Sequence, residues 1–140
     1  MGTRSLIYVA LKKELCPQEQ IYAGVYCSLN GFLEGVGAAL HNFYNSPKRA
    51  LSLIRHGHIV YLGATIKEST FFHSLRSKKR QAIFETVSQL PQDTQMINFV
   101  YIYFQEGDKK GWHAYKPIYS RRKSYLKYIG ALKDLKKCQL

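Results

Sequence analysis

The chain has 140 residues, 46% of them hydrophobic, with 21 Lys/Arg against 9 Asp/Glu and a formal net charge of +12. That length fits one domain with room for a real core, and 11 Tyr with 7 Phe exclude a disordered basic tail. No signal-like h-region and no apolar run of membrane-spanning length occur, so no membrane partner is expected and the host cytosol is the expected location.

In chain order, residues 4–11 (RSLIYVAL) read as a buried strand. Cys16-Pro17-Gln18 breaks it, and Ile21–Cys27 reads as a second strand, which makes an antiparallel hairpin with a long loop. Asn30-Gly31 is a turn signal, and Gly35, Gly37, Ala38 and Ala39 lead into a helix ending near Tyr44. A second helix is expected over 47–56, where Ala50, Leu53 and Ile54 share a face and Gly57 supplies the stop. Ile59–Leu62 reads as a short strand. The pattern over 78–90 predicts a third helix, with Ile83, Val87 and Leu90 on one side. Ile97–Gln105 and Trp112–Ile118 read as a second hairpin turned at 106–111. Residues 121–138 project as an amphipathic helix: Tyr125, Tyr128, Ile129, Leu132 and Leu135 on one side, Lys123, Lys127, Lys133 and Lys137 on the other. The expected fold is therefore a single α+β domain over 1–140. Its 1–120 body would be an antiparallel sheet of two hairpins carrying three to four helices, with a basic C-terminal helix over 121–140.

Charge is unevenly placed. Residues 47–90 hold eight Lys/Arg against two acids, and residues 121–140 hold seven against Asp134, while 1–46 and 91–120 are neutral. Three segments share one plan, a serine followed by basic residues: Ser46-Pro47-Lys48-Arg49, Ser77-Lys78-Lys79-Arg80 and Ser120-Arg121-Arg122-Lys123. Serine is a favoured N-cap and proline suits the first helical position. A helix start already carries roughly half a positive charge, so cations there cost on the order of 0.3–1 kcal/mol each unless an anion sits beside them. Lys48, Arg49, Lys78, Lys79, Arg80, Arg121, Arg122, Lys123 and Lys127 are accordingly the candidate phosphate-binding residues. The plainer reading of the same runs is a set of water-capped helix ends that keep the protein soluble.

Few residues point to catalysis. No P-loop, zincin, nucleophile-elbow or dinucleotide fingerprint occurs. His56-x-His58 lacks further ligands at metal spacing, and Cys27 with His41 is a thiolate pair only if the 27–41 loop folds back. Cys16, Cys27 and Cys138 are odd in number and lack C-x-x-C spacing, which fits free thiols in a reducing compartment. No cofactor or metal is expected, and the balance favours a non-enzymatic protein. Arg4, Ser5, Asn30 and Gly31 form an alternative ligand site, in which glycines before a helix let backbone N–H groups approach a nucleotide. Tyr101, Tyr103 and Trp112 lie on the second hairpin, where one face could stack bases and the other must pack on helices.

Several stretches resemble a family of small phage and prophage proteins. They are Thr3-Arg4-Ser5, Tyr26-Cys27-Ser28-Leu29-Asn30-Gly31-Phe32, Leu40-His41-Asn42-Phe43-Tyr44-Asn45, Leu53-Ile54-Arg55-His56-Gly57 and Phe99-Val100-Tyr101-Ile102-Tyr103-Phe104. The family carries His-Trp-Asp where this chain has Ser28-Leu29-Asn30, so a polar site built on that His and Asp is altered here. The resemblance implies a mobile-element origin and an action on the host or its defences. The expected function is binding of nucleic acid, or of a nucleic-acid-bearing host defence complex, through basic helix starts, as an anti-CRISPR type inhibitor would. The rivals are a nucleotide-binding or nucleotide-hydrolysing protein, and a protein inhibitor docked on an acidic surface.

Overall fold

The computed structural model describes residues 3–12, 20–72, 85–87 and 96–140, and at its centre lies β1 (Ser5–Ala10). This strand has apolar residues on both sides, as a strand buried on both faces requires. It pairs antiparallel with β2 (Tyr22–Cys27) and parallel with β6 (Phe99–Phe104). Strand β6 turns through 105–110 into β7 (Gly111–Ile118), which pairs antiparallel with β8 (Tyr125–Ala131). The outer edge of β2 is shared. Its end at Cys27 pairs parallel with β3 (Ile59–Tyr61), which is followed outward by β4 (Thr70–Phe71), while residues 22–24 pair antiparallel with β5 (Glu85–Val87). The sheet runs β4-β3-β2-β1-β6-β7-β8, with β5 beside β2.

Register assigns the faces. Ser5, Ile7 and Val9 lie in line with Cys27, Val25 and Ala23 on one side and with Phe99, Tyr101 and Tyr103 on the other. That face packs under the helical layer, where Leu40, Ala50, Leu53 and Ile54 complete the larger core. The opposite face gathers Tyr8, Ala10, Val100 and Ile102 in a smaller buried cluster. Tyr8 stands across from Gly24, and a Cβ there would collide with the Tyr8 ring.

The helical layer is thin. A five-residue π turn (Leu33–Gly37) runs into α1 (Ala38–Phe43), and α2 (Pro47–Arg55) follows. Ser46 caps α2 as expected: its Oγ accepts from Arg49 N–H at 3.2 Å. Gly57, at φ +82°, ends it in the left-handed region. Two 3₁₀ turns, Leu132–Asp134 and Lys136–Cys138, return the C-terminal segment to α1 and bury Leu132 and Cys138.

The expected architecture is therefore corrected. The protein is strand-dominated, with a mixed sheet and two short helices among the described residues, not three to four helices on two antiparallel hairpins. Residues 125–131 form an edge strand in place of the helix predicted over 121–138. Tyr125, Tyr128 and Ile129 fit helical spacing, but they are also good strand formers, and the open edge of β7 offers a full ladder of backbone partners. Gly130, at φ +155°, has a conformation that no helix contains. The helix expected over 78–90 falls largely outside the described residues, and Glu85–Val87 within it are a strand. No helix of the described residues is long and apolar enough to cross a membrane.

Candidate nucleic-acid interface

The three serine-plus-cation segments have different fates. Ser46–Arg49 opens α2, but Arg49 is engaged: its Nη1 donates to the carbonyl of Phe43 at 3.2 Å, so the guanidinium rests on the last turn of α1, where a cation is favoured. Lys48 is exposed. Lys78, Lys79 and Arg80 lie outside the described residues. Ser120 caps no helix. Its Oγ accepts from Arg122 N–H and Lys123 N–H, both at 3.2 Å, within the loop that joins β7 to β8. A serine hydroxyl taking N–H groups two and three residues ahead serves a helix start or a turn equally well, which is why the sequence alone reads as a helix here. The helix-start argument is thus corrected at 120–123: the cations there cluster on a hairpin.

That hairpin is the most basic part of the described structure. Residues 109–140 hold ten Lys/Arg and one acid, Asp134. Lys116 on β7 stands directly opposite Lys127 on β8, and Ile118 stands opposite Tyr125. Because alternate residues of a strand share a face, Lys116, Ile118, Tyr125 and Lys127 lie on one side, about 7 Å apart along each strand. Lys116 Nζ sits 6.0 Å from the centre of the Phe99 ring, which extends the row onto β6. Arg121, Arg122 and Lys123 are exposed in the connecting loop. Among the described residues, none of these five cations has a carboxylate within ion-pair distance, whereas Lys137 pairs with Glu34 at 3.9 Å. Like charges directly opposite in a sheet repel, and no acid of the described residues offsets them.

The aromatic residues singled out from sequence are core. Tyr101, Tyr103 and Trp112 are at most 3% exposed, so they offer no ring to a base. Tyr101 O–H donates to Gly31 C=O at 2.7 Å, Trp112 Nε1–H donates to Tyr44 C=O at 3.1 Å, and the Tyr103 and Trp112 rings meet edge to face at 5.2 Å. The exposed rings of the hairpin are Tyr119, Tyr125 and Tyr128.

The alternative ligand residues do come together, but as a packed turn. Asn30 takes φ +56°, Gly31 N–H donates to Thr3 C=O at 2.8 Å, and Val36 N–H donates to Asn30 C=O at 2.7 Å. A Cβ on Gly31 would press on Thr3, Arg4 and Ser5 at 2.8–3.0 Å. Ser5 is fully buried opposite Cys27, beside the thiol. The backbone groups that would cradle a phosphate are consumed within the protein.

Cys27 and His41 do not form a thiolate pair. The Cys27 thiol is buried, its Sγ–H points to Leu29 C=O at 3.6 Å, and burial pushes its pKa up to about 11, which keeps it protonated. His56 and His58 part company too. His56 packs on the Phe71 ring, and His58 Nε2 lies 2.6 Å from Ser28 Oγ between the rings of Tyr26 and Phe72. Among the described residues no group of three or more His, Cys, Asp or Glu is placed to hold a metal. The Ser28–His58 pair went unread in the sequence, because thirty positions separate two residues that only the β2–β3 pairing joins. Burial lowers the His58 pKa, which favours the neutral ring beside Ser28 Oγ. Yet Ser28 N–H is committed to Ile59 C=O at 2.9 Å, and among the described residues His58 Nδ1 has no hydrogen-bond partner to orient it. Among the described residues, then, this nucleophile–base pair has no third group hydrogen-bonded to the imidazole, the orienter that acyl transfer uses.

Comparisons with protein-family models, with curated proteins and with solved structures find no match to this chain.

Proposed function

We propose that this protein binds nucleic acid through its phosphate backbone, with Lys116, Arg121, Arg122, Lys123 and Lys127 of the β7–β8 hairpin as the contacting cations. The observation that carries this reading is Lys116 opposite Lys127 with no carboxylate of the described residues beside either, at the base of a loop holding three more cations. An anion laid across the row converts that repulsion into attraction and releases counterions. Contacts of this kind fix position on the polymer without reading its sequence. A mobile-element protein of this type would meet nucleic acid free or within a host defence complex, and the phosphate contacts are the same in both settings.

Fluorescence anisotropy of a labelled oligonucleotide against salt tests the reading. Five contacts give a slope of log K on log salt of about −3.5 to −4.5, and neutralising Lys116 and Lys127 together reduces it by about 2. No binding at low salt to any oligonucleotide, with retention of an acidic protein partner instead, would refute it.

A further inference from the structure

The hairpin carries a feature that phosphate binding alone leaves unused. Of its three exposed tyrosines, two have committed hydroxyls: Tyr119 O–H donates to Ile97 C=O at 3.0 Å, and Tyr128 O–H lies 2.8 Å from His113 Nδ1. Tyr128 also points away from the cation row, since it pairs with Tyr115 on the other face, their ring centres 5.3 Å apart. Tyr125 is different. It is 47% exposed, it lies on the Lys116–Lys127 face two residues from Lys127, and its hydroxyl has no hydrogen-bond partner among the described residues. Phe99, half-buried on β6, borders the same row beneath Lys116 Nζ. The face therefore presents an open ring, a row of cations and a second ring edge in one plane of the sheet.

Resting on the nucleic-acid reading above, we infer that the ligand is single-stranded, with a base stacked on Tyr125 and the backbone following the Lys116–Lys127 row into the Arg121–Lys123 loop. A paired base has both faces covered by its neighbours in the duplex, so only an unpaired base can use the Tyr125 ring. A duplex gains the phosphate contacts alone. Base–aromatic stacking is tolerant of sequence because every base has a π face, and it works alongside a cationic track in proteins that hold single strands. The occupant is fixed by charge complementarity and by the exposed ring together.

The test titrates the intact protein with a fluorescein-labelled oligothymidylate and with a duplex of equal length, at one salt concentration. Wild type binds the single strand about tenfold more tightly than the duplex. Tyr125→Leu loses roughly five- to a hundredfold on the single strand, leaves the duplex unchanged and keeps the salt slope. Tyr125→Phe retains single-strand binding, because the hydroxyl is not required. Tyr61→Leu, an exposed tyrosine on β3, changes neither and controls for general surface effects. Equal affinity for both ligands, or an unchanged single-strand affinity in Tyr125→Leu, overturns this inference while leaving the phosphate reading standing. Weaker binding of both ligands, with a lower salt slope, in the Lys116→Gln/Lys127→Gln variant supports that reading separately. Failure of wild type to bind either ligand overturns both.

Discussion

The phenol of Tyr101 and the carbonyl of Gly31 meet at 2.7 Å across seventy positions of chain, and both are buried. Tyr101 stands on β6 and Gly31 on the turn that leads from β2 into the π turn, so this one hydrogen bond fastens the helical layer to the sheet. The same burial raises the Tyr101 pKa far above the ordinary phenol range, which favours the protonated donor.

Tyr101→Phe removes the donor and leaves a buried carbonyl without a partner. The expected cost is about 1–3 kcal/mol in urea unfolding, with oligonucleotide affinity unchanged. A cost within error of zero would mean that water or a neighbouring donor replaces the phenol.

His58 predicts a pH dependence with a definite sign. Its folded pKa lies below the unfolded value of 6.5, so the unfolded chain takes up the proton first as pH falls. Stability is therefore unaffected by this group above about pH 7.5 and declines as pH drops through 6.5 towards the folded pKa. His58→Gln retains a hydrogen-bonding group for Ser28 and should flatten that decline in thermal melts run from about pH 7.5 to about pH 5.5. A decline of equal steepness in the variant would assign it to other groups.

Arg49 and Lys48 are adjacent and both exposed, yet only Arg49 rests on the end of α1. Arg49→Gln should cost about 0.5–1 kcal/mol, by loss of the carbonyl contact and of the favourable charge at that helix end. Lys48→Gln should stay within about 0.5 kcal/mol of wild type. Denaturant midpoints of the two variants measure the contrast directly.

Lys127→Glu separates stability from binding. Placed opposite Lys116, the carboxylate turns a repulsive cross-strand pair into an attractive one and should stabilise the free protein by about 0.2–1 kcal/mol. The same change should weaken oligonucleotide binding and lower the salt slope by about 1. Destabilisation with intact binding would place the anion surface elsewhere.

What could be read in the sequence was local. The β1–β2 and β6–β7 pairings are both antiparallel, as expected, and the Ser46 cap and the Gly57 stop of α2 are where their residue types put them. Long-range pairing could not be read. Ser5 aligns with Phe99 in a parallel ladder that no neighbouring residue signals, and β5 closes on β2 from the far side of the helical layer's sequence. At 121–131 the period was ambiguous, because Tyr125, Tyr128 and Ile129 satisfy helix spacing while Leu126 and Tyr128 alternate with Tyr125 and Lys127 across the strand. The candidate interface was half legible. Arg121, Arg122, Lys123 and Lys127 were identified by charge. Lys116 and Tyr125 joined them only when β8 paired with β7, since a helix would have turned Tyr125 inward.

The parallel seam between β1 and β6 also governs how the chain finds its fold. On one side of it, β1, β2, α1, α2 and β3 follow one another closely, and on the other, β6, β7 and β8 form a meander of neighbours. Each group can assemble from short loops, but joining them requires Ser5–Ala10 to meet Phe99–Phe104 across more than ninety residues. Closing so long a loop is paid in chain entropy before any seam contact forms, which places this step late and makes it the slow one. Until it occurs, the backbone N–H and C=O groups along the facing edges of β1 and β6 stay unpaired. That interval, more than the finished protein, is when the chain is exposed to aggregation, and refolding yield should fall with protein concentration.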